Sequence, residues 1–206
     1  MRNKTLSFVA IFCGLLLWGC YPDGPANTED LDVVITHHNP DYNFVAKGTY
    51  AMPDKIVKIT GNLQEGDAPV YIPDVTATQI LARIDNNMLA LGWQKVALNA
   101  NPKPDLLLTP ASWETTTVYY YYDYWYWWYG GYYPYWGYYP PVSYSSYTTG
   151  TLLMTLIDPL DVGANGIPIR EWTGAINGIL TGSYAAGRVN PLIDQAFEQS
   201  SYLKTN

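Results

Sequence analysis

The stretch DVTATQILARIDNNMLALG, residues 74–92, decides the fold class because it contains the clearest helix pattern of the chain. Its apolar side chains recur at spacings of three and four, which places them on one face of a helix. Asp74 is a preferred N-cap residue, and Gly92 is a preferred residue just after a helix end. The sequence therefore predicts a helix that packs one apolar stripe against a sheet. The stripe consists of Ala77, Ile80, Leu81, Ile84, Met88 and Leu91.

Segments rich in β-branched and apolar residues lie on both sides of this helix and predict strands. A second helix is predicted near the C-terminus, with Asn190 as its cap and Pro191 at its first position. Runs of strands between isolated helices are typical of an α+β domain. We therefore expect a mostly antiparallel sheet, helices packed on one face, and a long aromatic-rich hairpin or loop. The predicted strands are residues 31–38, 47–52, 55–60, 93–98, 105–129, 148–158 and 167–176, and the apolar side of the second helix is Leu192, Ile193, Ala196 and Phe197.

Residues 118–141, VYYYYDYWYWWYGGYYPYWGYYPP, form the most unusual part of the chain. Between positions 119 and 139 they include twelve tyrosines and four tryptophans. Each of these side chains has an apolar ring and one polar tip, which suits a boundary between water and an apolar surface. Glycines and a proline supply turn residues, so we expect a protruding hairpin or loop outside the core, within an insertion at residues 118–147. The candidate binding residues are Tyr119, Tyr122, Trp125, Trp127, Trp128, Tyr133 and Trp136.

Several functions remain open for this aromatic segment. An exposed apolar patch of such size marks an interaction site, which favours a non-catalytic interaction or envelope-assembly module. Aromatic rings also stack on sugars and tyrosine hydroxyls form hydrogen bonds, so a glycan- or peptidoglycan-binding module is the alternative. Tyr and Trp are enriched at membrane interfaces as well. A tolerated insertion that partly folds back on the domain requires no ligand, and a hydrolase is the remote alternative.

The N-terminus has the features of an export signal. Two basic residues precede an apolar stretch, Leu6–Trp18, which is shorter than the about 20 residues of a membrane-spanning helix. Gly19 and Cys20 follow directly. This arrangement resembles the lipobox of bacterial lipoproteins, in which the chain is cut before the cysteine and the sulfur is acylated.

The lipobox resemblance implies an organisation for the whole chain. Residues 1–19 are the expected signal peptide, Cys20 is the expected lipidation site, and the polar residues 20–30 form a tether. Residues 31–206 then form a single domain. We expect this domain to be anchored by lipid to a membrane of the bacterial cell envelope, with the outer membrane as the expected location and an envelope protein or a glycan as the partner.

The composition argues against nucleic-acid binding and against metal or enzyme chemistry. Charged residues make up 14% of the chain and the net charge is −7, whereas nucleic-acid binding requires a basic surface. His37 and His38 are the two histidines, and as neighbours on a strand they point to opposite faces, one to solvent and one into the packing. The cysteine and histidine spacings of a zinc site are absent from the sequence. We expect no metal, no cofactor and no catalytic residue.

Asp158 and Asp161 flank a predicted turn. Two nearby carboxylates are able to bind a cation or to act as an acid–base pair. Aspartate also favours turns through hydrogen bonds to its own backbone, which explains both residues without a ligand. We therefore expect them to have a structural role.

Several short motifs are spread along the chain. They are Asp41-Tyr42 with Lys47, Thr49, Tyr50 and Ala51; Pro104-Asp105-Leu106-Leu107-Leu108; Gly150-Thr151-Leu152 through Asp158; Trp172-Thr173-Gly174; and the helix ending in Ala196-Phe197. Together they resemble a bacterial lipoprotein family, the domain of unknown function 4136, over roughly Leu31 to Ser200. Many members carry a Tyr-, Gly-, Trp- and Pro-rich insertion at the position where this chain has one, whereas Met52 replaces a usual tryptophan. The resemblance implies an exported, lipid-anchored domain and implies no reaction.

Overall fold

The computed structural model describes residues 33–60, 68–114, 150–163, 168–180 and 185–205, all within one compact unit, Asp32–Asn206. The expected signal peptide, the tether and the lipidation site at Cys20 lie outside the described residues. The aromatic insertion and its seven candidate binding residues lie outside them too.

Each strand and each helix predicted from the sequence has a counterpart in the structure, with shifted ends. Residues 115–129 of the strand predicted at 105–129 lie outside the described residues. The described elements are β1 (Val34–His38), β2 (Thr49–Ala51), β3 (Val57–Ile59), α1 (Asp74–Ala90), β4 (Gln94–Lys95), β5 (Leu106–Trp113), β6 (Thr151–Val162), β7 (Pro168–Ile176) and α2 (Ala186–Glu198). Short 3-10 helices cover Phe44–Ala46 and Ser201–Leu203.

The seven strands form one mixed sheet in the order β1-β7-β6-β5-β2-β4, with β3 pairing to β5 beyond β2. The pairs β1–β7, β7–β6 and β6–β5 are antiparallel. The pairs β2–β5, β3–β5 and β2–β4 are parallel. The prediction of a mostly antiparallel sheet is therefore wrong. The reason is that α1 lies between β3 and β4 in the chain, and a helical crossover returns the chain to the same end of the sheet, which makes the joined strands parallel.

Both helices pack against the same face of the sheet, as predicted, and we call it the first face. Alternate residues of β5, β6 and β7 point to it because side chains alternate along a strand. They form one buried cluster with the apolar stripes of α1 and α2. From the sheet this cluster takes Leu106, Leu108, Leu152, Met154, Leu156, Trp172 and Ile176, and from the helices it takes Ala77, Ile80, Leu81, Ile84, Met88, Val189, Ile193, Ala196 and Phe197.

The helix boundaries differ from the predicted ones at two places. Asp74 is the first helical residue of α1 and not its N-cap, which is Pro73; a carboxylate in the first turn still interacts favourably with the helix dipole. α2 begins at Ala186, so that Pro191 lies inside the helix. Val189 explains the longer helix, because it belongs to the buried core on the first face and its burial favours helical structure before the proline. At the other end of α1, Gly92 has a φ of +95°, the left-handed conformation predicted there.

Candidate functional site

A group of polar side chains converges where β1 ends, β2 begins and β6 meets β7. We call Asn39, Tyr42, Lys47, Asp158 and Glu171 the polar cluster. Asn39 and Tyr42 lie on the connection after β1, and Lys47 precedes β2. The hydroxyl of Thr205 donates to the carbonyl oxygen of Lys47, which ties the C-terminal end of the described chain to this site.

Asp158 is the centre of the cluster and is almost completely buried. Its Oδ2 accepts hydrogen bonds from the Tyr42 hydroxyl at 2.7 Å and from Lys47 Nζ at 2.8 Å. Its Oδ1 accepts one from the backbone N–H of Leu160 at 2.8 Å. Burial by itself raises the pKa of Asp158, but the hydrogen bonds from Lys47, Tyr42 and Leu160 outweigh it and leave the pKa below its ordinary value. The carboxylate is therefore charged and fully engaged within the fold.

Tyr42 stays neutral at every physiological pH. Burial, followed by the hydrogen bond to Asp158, raises the pKa of its hydroxyl far above the ordinary value. Its ring contacts Phe44 edge-on, with 4.8 Å between the centroids, and so links the cluster to the core on the first face. Tyr42 therefore acts as a hydrogen-bond donor and not as a base.

Glu171 lies at an irregularity between β6 and β7 and is completely buried. Leu156 pairs with Trp172 whereas Ile157 pairs with Arg170, so that Glu171 is the extra residue of a bulge. Its Oε2 accepts a hydrogen bond from Asn39 Nδ2 at 2.9 Å, and its Oε1 has no hydrogen-bond partner.

The environment of Glu171 favours its neutral form. Burial is the largest cause, the charges of Asp161 and Asp158 add to it, and the hydrogen bond from Asn39 and the charge of Lys47 oppose it. Together they raise the pKa of Glu171 to about 7. A carboxyl group that titrates near neutrality inside the fold is a candidate for function, although such shifts also occur in structural networks.

A second carboxylate, Asp105, fixes the start of β2 next to the cluster. Its Oδ2 accepts hydrogen bonds from the backbone N–H groups of Gly48 at 3.0 Å and Thr49 at 2.8 Å, and from the Thr49 hydroxyl at 2.8 Å. Burial by itself raises the pKa of Asp105, but these bonds lower it below the ordinary value. Asp105 thereby joins β2 to the start of β5.

The two histidines and the turn aspartate considered in the sequence analysis have structural roles. His37 is exposed and His38 stacks on Tyr202 with 3.7 Å between the ring centroids, so the prediction of one solvent-facing and one packed histidine is confirmed. Asp158 caps the N–H of Leu160 two residues later, the turn role predicted for it. Within the described ranges, no group of three or more His, Cys, Asp or Glu side chains is placed to hold a metal ion. Within the same ranges, no helix has the length and apolar character needed to cross a membrane.

The sequence provided a signal for part of this site. Tyr42, Lys47, Asp105 and Asp158 all belong to the short motifs on which the family resemblance rests, and the structure brings those motifs together. Glu171 carried no such signal. A glutamate between arginine and tryptophan in a predicted strand is ordinary in sequence, and its burial results from the β6–β7 irregularity.

Comparisons with known proteins agree with this resemblance. The family model described as "Domain of unknown function (DUF4136)" matches residues 34–200. Among curated protein sequences, none matches this chain. A crystal structure of a DUF4136 family protein from Bacteroides thetaiotaomicron is similar, with 29% sequence identity, a TM-score of 0.64, and coverage of 84% of this chain and 97% of that one. A PelC variant from Paraburkholderia phytofirmans, solved as a dodecamer, shares 16% identity with a TM-score of 0.39 and covers 85% of this chain and 98% of its own. The match over most of its length means that this chain belongs to the DUF4136 family.

Proposed function

We propose that the chain is a lipid-anchored, non-catalytic interaction or assembly module of the bacterial cell envelope, located at the outer membrane, that binds its partner through the Tyr- and Trp-rich segment. The observation that carries this proposal is the way in which β5 and β6 close at the base of that segment.

Residues 115–149 connect two strand ends that are already paired. Trp113 lies opposite Thr151, and the backbone N–H of Gly150 donates to the carbonyl oxygen of Trp113 at 2.7 Å. The antiparallel pairing then continues to Leu107 and Ile157. The described pairing of β5 with β6 therefore closes at Trp113 and Gly150 without using the aromatic residues. This supports a role for them in recognition.

The polar cluster supports a function without catalysis. Asp158 has its hydrogen-bonding capacity used by Tyr42, Lys47 and Leu160, so it is not available as a base or a nucleophile. Glu171 has the pKa of a general acid but is completely buried. A catalytic acid must reach the proton-accepting atom of a substrate. The cluster therefore serves to hold β1, β2 and the β6–β7 bulge together.

Deletion of the aromatic segment tests the proposed recognition. We expect replacement of Tyr119–Tyr139 by a short Gly/Ser linker to leave a cooperative thermal transition, because the β5–β6 pairing and the core on the first face contain none of these residues. We expect the deletion to abolish binding of the partner in pull-downs from envelope extracts. The full chain and the Leu160→Ala variant are the controls, and both should retain binding. Leu160 is 82% exposed and lies outside the segment, which makes it a matched test for non-specific apolar contact.

The same pull-down separates the possible partners. Soluble peptidoglycan or polysaccharide and lipid vesicles are offered separately. Binding to peptidoglycan alone assigns the glycan-binding alternative, and loss of an envelope protein assigns the interaction module. A deleted form that folds and loses no partner contradicts the proposal and leaves a tolerated insertion.

Anchoring is proposed from Gly19-Cys20 after the short apolar stretch. The net charge of −7 does not favour binding to an anionic bilayer, so acyl chains must provide the attachment. Cys20→Ala moves the protein from the membrane fraction to the soluble envelope fraction, whereas Cys13→Ala, inside the expected signal peptide, leaves it membrane-bound. A Cys20→Ala protein that remains with the membrane contradicts lipidation at this residue.

A further inference from the structure

The sheet has a second face, opposite the helices, and this face is also buried. Its apolar residues alternate with those of the first face along β5, β6 and β7, and none of them belongs to the cluster that both helices join. Each is at most 4% exposed. They are Leu107, Ala111, Trp113, Leu153, Ile157 and Ala175.

A row of hydroxyl groups crosses this second face. Thr109 pairs with Thr155 and Thr155 pairs with Thr173, so the three side chains are neighbours across three strands. The Thr109 hydroxyl donates to the backbone oxygen of Thr155 at 3.0 Å. Thr155 is 1% exposed, and its hydroxyl has no hydrogen-bond partner. A buried hydroxyl without a partner costs free energy, so a polar group placed over this row would stabilise the fold.

The described elements account for only one edge of this cover. Val96 and Leu98 pack on Leu107 and Ala51 where β4 meets β2. The buried side chains of α1 and α2 belong to the first face. The two helices therefore do not account for the burial of the centre of the second face, around Leu153 and Ala175.

We propose that the second face is the docking surface for residues 115–149 of the same chain. This segment begins two residues after Trp113, which is itself a second-face residue. It ends just before Gly150, next to Thr151, the residue that pairs with Trp113. It is also the longest internal stretch outside the described residues. Its two ends therefore start at the edge of the surface that needs a cover.

The chemistry of the segment matches that of the surface. The surface is apolar and crossed by hydroxyl groups, and the segment supplies aromatic rings that bear a hydroxyl or an N–H at one tip. Asp123 is its only charged residue, so docking buries almost no charge. Docking on this face requires no partner protein, and it replaces the protruding hairpin that the sequence alone favours. Rings on the other side of a docked segment remain available for recognition.

Thiol protection in the full chain tests the docking. With Cys13→Ser and Cys20→Ser as background, Ala175→Cys places one thiol on the second face, and Ala196→Cys places one on α2, in the core that covers the first face. Both alanines are 0% exposed, which makes the two reporters a matched pair. Leu160→Cys is the exposed reference. We expect the thiols at positions 175 and 196 to react with a water-soluble thiol reagent at least about 100-fold more slowly than the thiol at 160.

The reporters are then compared in a chain of unchanged length that carries seven serine substitutions in the segment. The substituted residues are Tyr119, Tyr122, Trp125, Trp127, Trp128, Tyr133 and Trp136. We expect the thiol at 175 to react at least about tenfold faster there, while the thiol at 196 stays protected. Reaction at 175 as fast as at 160 in the unaltered segment overturns the proposal, because the face is then open. Equal protection at 175 in both chains also overturns it, because another part of the chain is then the cover.

Crosslinking decides the matter if the seven substitutions unfold the domain, which reaction at 196 would reveal. One cysteine is introduced into the otherwise unaltered segment, by Tyr122→Cys, Trp128→Cys or Trp136→Cys. Each of these is combined with Ala175→Cys in one protein and with Ala196→Cys in another, and both proteins are oxidised mildly. A disulfide that forms with the thiol at 175 and not with the one at 196 supports docking. No disulfide, or equal yields for both positions, overturns it. Partner binding is not measured in either experiment, so failure here is distinct from failure of the proposed function.

Discussion

The core on the first face and the polar cluster at the end of the sheet stabilise the same domain by different physical means. The core consists of aliphatic and aromatic side chains removed from water, whose contribution depends on area and packing and does not depend on pH. The polar cluster contains a partly buried ion pair and a buried carboxyl group, whose contributions depend on partners and on protonation. The difference means that mutations in the two regions are distinguished by pH dependence as well as by size.

The largest effect is expected in the core. Ile84 on α1 is completely buried, so Ile84→Ala lowers the free energy of unfolding by ~2–5 kcal/mol through lost burial and the cavity left behind. The loss is the same at pH 5 and pH 8. Urea denaturation measures it, with Val75→Ala on the same helix as the control. Val75 is 73% exposed, and its truncation costs less than about 0.5 kcal/mol. A loss at Ile84 as small as that at Val75 would mean that the stripe faces water.

The next effect belongs to the polar cluster and compares two lysine–carboxylate pairs of nearly equal length. Lys47 Nζ lies 2.8 Å from Asp158, whose side chain is 4% exposed, and Lys58 Nζ lies 2.7 Å from Glu114, where both side chains are partly exposed. Lys47→Met leaves a buried carboxylate short of one partner and costs about 3 kcal/mol at neutral pH. Lys58→Met costs less than about 1 kcal/mol, because water replaces the lost partner.

The stability cost of Lys47→Met depends on pH. The pKa of Asp158 is below its ordinary value in the folded protein, so its pairing stabilises the fold at neutral pH and is lost as the pH falls through that lowered pKa. Lys47→Met therefore becomes less harmful in strong acid, where Asp158 is protonated in either protein. Equal costs for Lys47→Met and Lys58→Met at neutral pH would contradict the role assigned to burial.

The core was predictable because its signal is local. The spacing of Ile80, Ile84 and Met88 fixes a helix face, and the alternation of Leu152, Met154 and Leu156 fixes a strand face, so each residue's environment follows from its near neighbours in sequence. The helices on one face and the left-handed Gly92 followed from the same kind of pattern.

The remaining features depend on pairing between distant segments. The parallel neighbours of β5 result from a helical crossover whose destination no local pattern specifies. The start of α2 is set by the burial of Val189, which outweighs the boundary signal of Asn190 and Pro191. Asp158 meets Lys47 across more than one hundred residues of chain, and the position of Glu171 depends on one bulge in the β6–β7 ladder.

The smallest of the three effects concerns Glu171, and its dependence on pH is opposite in sign to that of Asp158. In the folded protein its pKa is raised from an ordinary 4.5 to about 7, with burial as the largest cause and the charges of Asp161 and Asp158 next. A raised pKa means that the folded state binds the proton more tightly than the unfolded chain. The stabilisation is therefore fully present below pH 4.5 and is lost as the pH rises through about 7. The total change is at most about 3 kcal/mol.

Glu171→Gln should remove that dependence, because glutamine has the shape of the protonated acid, never ionises, and keeps an oxygen for the Asn39 amide. We expect the free energy of unfolding of the unaltered protein to fall between pH 4.5 and 7.5 in urea titrations, and that of Glu171→Gln to stay level, so that the variant is the more stable of the two at pH 7.5. The pKa values of Asp158, Asp105 and Asp194 are lowered, which places their titrations below this range. Asp161→Asn is the matched control: it leaves Glu171 in place but removes a charge that raises its pKa, so the decline should become shallower. Parallel pH profiles for the unaltered protein and Glu171→Gln would show that Glu171 is already ionised when folded, and Asp158 would then be the group of the polar cluster whose titration affects stability.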